Sequence, residues 1–327
     1  MQYRLLGSTG MKVSEVGFGA WAIGASWGAV DDNESYAALL KALESGVNFF
    51  DTADVYGDGK SEKLIARLRQ ETGAAFFVAT KAGRKLNPHV ASAYTPKAIR
   101  AFVQQSLKNL KMDSLDLLQL HCPPTQVYYQ SELFAGLDEM KKEGLLKHYG
   151  VSVEKVEEAL KAIEFPGVES VQIIFNMFRH RPTERFFAEA KARKLGIIAR
   201  VPLASGMLTG KLRLDSHFEK DDHRLFNRHG ESFDMGETFS GVPYEIGLEA
   251  VEEIKKLLPL GASLPAFALK WILMHDAVST VIPGAKRPSQ VESNCAASDL
   301  APLDTKTMAG IKEIYERLVK VYVHQRW

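Results

Sequence analysis

The sequence predicts an α/β fold: a (β/α)8 TIM barrel with an N-terminal β-hairpin, a long loop after the seventh barrel strand and an extra C-terminal helix. Short apolar runs alternate with segments of helical period over nearly all 327 residues, which is the mark of βα units around a parallel sheet. Eight such units suit a barrel of this length. Some runs are apolar throughout, as at 76–79, and a strand covered on both faces reads that way. A doubly wound sheet is the rival, but it usually needs fewer units and a Gly-rich turn after its first strand. Gly17-Phe18-Gly19 lacks the third glycine of that turn.

The elements follow in order. Residues 1–14 carry Gly7-Ser8-Thr9-Gly10 between short mixed stretches, which predicts the hairpin. Residues 16–20 open the barrel. Tyr36, Leu39, Leu40 and Leu43 fall at helical spacing over 32–45, with Asp31 and Glu34 as the start signal. A strand at 48–52, a helix at 61–69 and a strand at 75–81 come next. Thr95-Pro96 then caps a helix with Ile99, Phe102, Val103, Leu107 and Leu110 on one face. Strands at 115–121, 146–152, 170–176, 196–202 and 278–283 complete the eight. Residues 203–242 are polar and far longer than an ordinary βα loop, and 304–323 predict the extra helix. No low-complexity linker or solenoid repeat divides the chain, so residues 1–327 are expected to form a single barrel domain.

Composition narrows the function classes. With 46% hydrophobic and 25% charged residues, the chain has the balance of a globular protein with a sizeable core. A net charge of +1 argues for neither nucleic acid nor an acidic membrane surface as partner. No apolar stretch approaches the ~20 residues that span a bilayer. The two cysteines, Cys122 and Cys295, have no metal-ligand or CxxC spacing. With an N-terminus that lacks a signal-peptide core, they point to a cytoplasmic protein.

Three successive strands each end on one ionisable residue: Asp51, Lys81 and His121. Tyr56 lies in the loop directly after Asp51. The C-terminal end of the strands is the catalytic face of such a barrel, and burying these groups apart from one another would be costly. Reduction of a carbonyl needs a proton donor on the developing alkoxide. Tyrosine is a weak acid, so a neighbouring cation has to ease its proton release. Lys81 is placed to do so, with Asp51 holding Lys81 charged and His121 orienting the substrate oxygen.

The run Asn48-Phe49-Phe50-Asp51-Thr52-Ala53-Asp54-Val55-Tyr56-Gly57, with Thr80-Lys81 and Leu120-His121, resembles the signatures of the aldo-keto reductases over the full length of the chain. The resemblance implies the barrel, NADP(H) as cofactor and a small carbonyl substrate. It also implies Tyr56 as general acid, tuned by Lys81 and Asp51, and His121 as the group that positions the carbonyl. Gly150-Val151-Ser152 and Gln172 resemble the family's nicotinamide-amide contacts. The run Pro202-Leu203-Ala204-Ser205-Gly206 through Lys211 is similar to the pyrophosphate strap. Ile282, Gly284, Lys286 and Arg287, followed by Gln290 and Asn294, resemble the adenosine 2′-phosphate segment. Gly19, Ala20 and Trp21 are expected to line the mouth. Trp27, Tyr94 and Tyr128 join Trp21 as apolar candidates for the substrate wall.

The chain departs from the family pattern at Arg200, where an aromatic residue usually stacks on the nicotinamide. Arg200 is expected to favour the reduced cofactor or to contact a phosphate. Ser293 stands where many members carry a Glu near the adenine, and the 203–242 loop is expected to fold over the cofactor as a lid. His217, His223 and His229 with Asp221 and Asp222 match no familiar ligand spacing, so no metal is expected. Gly57-Asp58-Gly59-Lys60-Ser61 lacks the upstream glycine of a P-loop. Two other readings stay open: a nucleotide-binding regulatory subunit with little turnover, and a Schiff-base aldolase using Lys81. The protein is expected to be a monomer or a small homo-oligomer.

Overall fold

The computed structural model describes residues 1–24 and 31–327; the expectation for Trp27 lies outside them. The predicted hairpin is β1 (Tyr3–Leu5) against β2 (Lys12–Ser14), antiparallel. Eight parallel strands follow: β3 (Phe18–Gly19), β4 (Phe49–Asp51), β5 (Phe77–Ala82), β6 (Leu115–His121), β7 (Leu146–Ser152), β8 (Val168–Ile174), β9 (Gly196–Arg200) and β10 (Val278–Val281). They are ordered sequentially in one sheet. Its two ends meet through parallel bridges between Val16 and Val281 and between Gly19 and Gly284. The seam is tight. A Cβ on Gly19 would sit 2.5 Å from the Ile282 carbonyl oxygen, so only glycine lets these backbones approach.

The hairpin plugs the N-terminal end of the barrel. Leu6, Met11 and Val13 form one buried cluster with Phe49, Ala79, Leu117 and Ile198 from inside the strands. Each fully buried side chain of this kind contributes roughly 1.5–3 kcal/mol of transfer free energy. Gly7 turns the hairpin at φ +56°, where an added Cβ would meet Gly196 N at 2.2 Å. With one end sealed, polar side chains can converge only at the other, where β4, β5 and β6 terminate. The larger core lies between the sheet and its helices.

Helix starts follow the predicted chemistry. The Asp31 side chain accepts from the Asn33 and Glu34 N–H groups ahead of Asp32–Glu44, and Thr95 accepts from Ala98 ahead of Pro96–Leu110, which satisfies orphan amides of the first turn. No described helix is long and apolar enough to cross a membrane. The extra C-terminal helix is present but interrupted: Thr305–Ile314 leads into a π-turn at Tyr315–Val319 and then Lys320–Val323. Beyond it, Trp327 folds back onto the long loop after β9. Its Nε1 donates to Asp234 at 2.8 Å, the Arg179 guanidinium stacks 4.4 Å from its ring, and that ring occupies the space a Cβ on Gly241 would need. The end of the chain thereby anchors the loop beside the catalytic end of the barrel.

Candidate active site

Parallel pairing sets the heights of the strand-end residues. Lys81 is level with Gln119, His121 with Ser152, and Ser152 with Gln172. Lys81 is only 1% exposed, and its ammonium is spoken for on three sides. It donates to Asp51 Oδ1 at 2.5 Å, to the Thr52 carbonyl at 2.9 Å and to Tyr56 Oη at 3.4 Å. Asp51 Oδ2 accepts from Gln119 at 3.1 Å and Gln172 at 2.8 Å. The Tyr56 ring stacks on Trp21 with centroids 6.3 Å apart and meets His121 edge-on at 5.8 Å. The structure thus brings together the three residues read from the strand ends and Tyr56 from the loop after the first of them.

The protonation states follow from burial and neighbours. Burial disfavours tyrosinate and pushes the Tyr56 hydroxyl up from its ordinary value, with Lys81 opposing. Burial alone would pull Lys81 down, but the Asp51 and Tyr56 oxygens reverse this and hold it above 10.5. His121 is held well below its ordinary value by burial and then by Arg84 and Lys81. The resting site therefore holds a neutral phenol, an ammonium and a neutral imidazole.

A cleft of about 530 Å³ runs from Asp51, Tyr56 and His121 past Ser152 and Gln172 to Gly284, Lys286 and Asn294. Gly19, Trp21, Arg200, Pro202, Leu203, Ser205, Gly206, Lys211, Ile282 and Gln290 also line it. Ala22 is on the wall, whereas the predicted Ala20 is not. Ala20 is fully buried and its N–H donates to the Asp51 carbonyl. Arg287 is off the wall too; its Nε pairs with Glu34 at 3.2 Å. Gln290 instead shapes the loop, accepting from the Lys286 and Arg287 N–H groups. Tyr94 and Tyr128 do not line the cleft. Both are buried, Tyr94 bonded to His89 and Tyr128 to the Ser152 carbonyl. Thr209, within the predicted strap, is on the wall, whereas sequence reading missed Arg224, which arrives on the long loop, and Ser289, which follows Lys286 by three residues.

The cleft suits an extended dinucleotide. Lys211, Arg224 and Lys286 supply cations along one stretch, and Gly206, at φ +93°, keeps the strap open with no side chain of its own. The other end offers the Ser152 hydroxyl and the Gln172 amide beside the four strand-end residues. Anionic groups at one end and a neutral amide at the other are what this donor set accommodates.

Arg200 lines the cleft, and its guanidinium is buried in an ion-pair network. Nη2 donates to Glu154 at 2.7 Å and to the Val153 carbonyl at 3.0 Å, and Nη1 lies 3.6 Å from Glu237. Arg84 joins from the other side, 2.8 Å from Glu237. Burial pushes Glu154 up to about 8, while the two guanidiniums overcome burial and hold Glu237 well below the carboxylate range. Cys122 shares this cluster, with Glu154 and Glu237 ligand atoms within 4.8 Å. In the long loop, Asp222 pairs with Arg224, and His223 lies 3.4 Å from Ser205 and against Trp21.

Asp54 is buried, and among the described residues neither oxygen has a hydrogen-bond partner, while its N–H donates to the Lys81 carbonyl. Burial, followed by repulsion from Glu62, raises its pKa from 3.8 to about 7. The folded state therefore holds this proton more tightly than the unfolded chain does. Stability is full below the unfolded value and is lost as pH rises to about 7. Asp54→Asn is expected to abolish that loss, gaining on the order of 2 kcal/mol at pH 8 and little at pH 4. Urea midpoints at the two pH values check this; equal gains at both would show that the carboxyl is not the cause.

A sealed parallel barrel with an acid, an ammonium and a neutral imidazole at the mouth of a dinucleotide-sized cleft defines an oxidoreductase class. Comparison with known proteins agrees. A profile of the Aldo/keto reductase family matches residues 15–316, and the chain belongs to that family. It is 29% identical over 299 residues to an aldo-keto reductase of Bacillus subtilis, covering 90% of this chain and 87% of that one. It is 30% identical over 323 residues to a probable voltage-gated potassium channel subunit beta of Arabidopsis thaliana, covering 93% of each. The solved structure of a glycerol dehydrogenase from Gluconobacter oxydans superposes with a TM-score of 0.79 at 28% identity, over 97% of this chain and 96% of that one.

Proposed function

We propose that the protein reduces the carbonyl of an aldehyde or ketone to an alcohol, with NADPH as hydride donor and Tyr56 as proton donor. The observation that carries this is Lys81, whose ammonium contacts Asp51 and the Tyr56 hydroxyl together beneath the cleft. The bound cofactor supplies the hydride to the carbonyl carbon. The chain supplies the rest. His121, neutral, orients the carbonyl oxygen. Tyr56 gives its proton to that oxygen as charge develops there, because an alkoxide is a stronger base than a tyrosinate. Lys81 stabilises the phenolate left behind, and Asp51, braced by Gln119 and Gln172, keeps Lys81 in place.

In this reading Ser152 and Gln172 hold the carboxamide of the nicotinamide, and the backbone of 202–206 with Lys211 holds the pyrophosphate. The 2′-phosphate falls to Lys286, since Arg287 is engaged with Glu34. A Schiff base at Lys81 is disfavoured because that chemistry needs a neutral, accessible amine. The β-subunit relative keeps a regulatory reading in view.

Loss of the reduced nicotinamide's absorbance, followed with NADPH and NADH over a panel of small aldehydes and ketones, tests the proposal. Turnover is expected, with NADPH preferred. Lys286→Ala is expected to reduce that preference by about 10–100-fold, the worth of one charge-assisted contact. Tight NADPH binding without turnover on any carbonyl would replace the reductase with the regulatory reading. A carbonyl compound trapped on Lys81 by borohydride would favour the aldolase.

A further inference from the structure

The proposed mechanism leaves both cations of the buried network unused, and Arg84 is the one that reaches the catalytic imidazole. It follows β5 by two residues. Gly83, at φ +107°, packs so closely on Tyr94 that a Cβ would lie 2.5 Å from its ring, and this turn carries Arg84 toward His121. Arg84 Nη2 is held by Glu237 at 2.8 Å, with Glu154 at 3.7 Å. The guanidinium lies 5.5 Å from the Phe233 ring. Among the described residues, Nη1 meets no carboxylate. Its contact is His121 Nε2, at 3.5 Å. The side chain is 21% exposed, with Nη2 held by Glu237 and Nη1 beside the imidazole, just off the cleft wall that His121 lines.

The charge around it does not cancel. Arg84 and Arg200 are two cations, and they face Glu237 and Glu154. Burial pushes Glu154 up to about 8, so its carboxyl is mostly protonated at neutral pH, whereas the two guanidiniums keep Glu237 ionised. Lys81 is already balanced by Asp51, and His121 is neutral. One positive charge therefore remains in excess beside the imidazole. A neutral ketone gains nothing from it, whereas an anion of matching reach does.

We infer that Arg84 is a specificity-determining residue that selects carbonyl compounds bearing a carboxylate on the adjacent carbon, the 2-oxo acids. The inference rests on the proposed carbonyl reduction. With the keto oxygen on His121 Nε2 and Tyr56 Oη, a donor 3.5 Å from that same ring nitrogen meets an oxygen on the next carbon. A charge several carbons away falls elsewhere. The planar fork keeps Nη2 on Glu237 while Nη1 meets the carboxylate. In the reaction a 2-oxo acid takes a hydride at the keto carbon from the reduced nicotinamide and a proton at the keto oxygen from Tyr56. The product is a 2-hydroxy acid, the cofactor leaves oxidised, and Tyr56 regains a proton from solvent.

Pyruvate against methyl pyruvate, with NADPH, tests the charge with the rest of the molecule nearly constant. The keto carbonyl of the ester is more electrophilic than that of the anion, so intrinsic reactivity works against the expected result. Wild type is expected to show a kcat/KM ratio of acid over ester near 100, the worth of a charge-assisted pair. Arg84→Met is expected to lower that ratio about 100-fold and Arg84→Lys about tenfold, since the lysine keeps the charge without the fork. Oxamate binding to the protein–NADPH complex, followed by calorimetry, is expected to weaken in the same order. A wild-type preference for the ester, or a ratio unmoved in both variants, overturns the inference while leaving carbonyl reduction intact. Failure of Arg84→Met to fold leaves the wild-type ratio, oxamate binding and Arg84→Lys to decide. Absence of turnover on neutral and charged carbonyls alike overturns both readings.

Discussion

Tyr56→Phe is expected to lower kcat by about 10²–10⁴-fold, the usual worth of a positioned general acid. The change removes one oxygen and little else. The ring remains to stack on Trp21 and to meet His121 edge-on, and Lys81 keeps its bonds to Asp51 and the Thr52 carbonyl. Fluorescence titration with NADPH should therefore show cofactor affinity close to wild type, separating lost chemistry from lost binding. The pH profile carries a second signature. Because burial raises the Tyr56 hydroxyl above its ordinary value, the acid form persists through neutral pH. Wild-type reduction should decline only in the alkaline range, and the residual activity of the phenylalanine variant should lack that decline. Turnover within a few fold of wild type would show that another group delivers the proton, with His121 the nearest candidate.

Why some of this site can be read in the sequence and some cannot is a matter of what periodicity constrains. Asp51, Lys81 and His121 each close an apolar run, so the pleat and the parallel register put them on one end of the barrel without further information. Gln119 carries the same signal, a polar residue two positions before His121 on the same face of β6. Its role became clear only when the structure placed it on Asp51 with Gln172. Arg200 marks the limit. Its position at the end of β9 was legible, but its partner was not. Glu237 arrives from the 203–242 loop, whose course is fixed by contacts such as Trp327 with Asp234 rather than by any repeat in the sequence. The Arg84 pairing was hidden for the same reason. Ala20 and Ala22 differ by two residues at a strand-to-helix transition, where one turn of backbone decides which side chain faces the cleft. Tyr94 and Tyr128 show that an aromatic residue after a barrel strand is as readily core as wall.

The second large effect is expected in stability, at the Asp51–Lys81 pair. Asp51→Leu should cost about 3–5 kcal/mol, the range for stranding one member of a buried ion pair. It leaves an ammonium that is 1% exposed with the Thr52 carbonyl and a phenol as its remaining partners. It also deprives Gln119 of its acceptor and Gln172 of one of its two. Lys81→Met strands the carboxylate instead, but Asp51 then retains both glutamine amides, so its cost should be the smaller of the two. The double variant should be more stable than Asp51→Leu alone, because removing the second charge relieves the desolvation that the first substitution exposed. Since Lys81 is held above 10.5 in the folded state, the pair's contribution is complete below that value and is lost as pH rises through the folded one. Urea midpoints for the four proteins of this cycle, at neutral and strongly alkaline pH, decide the matter. Additive losses would mean that the two residues do not act on each other. A positive coupling that fades in alkali would establish that the same electrostatic contact that readies Tyr56 also stabilises the barrel mouth, so that activity cannot be tuned at Lys81 without a cost in folding.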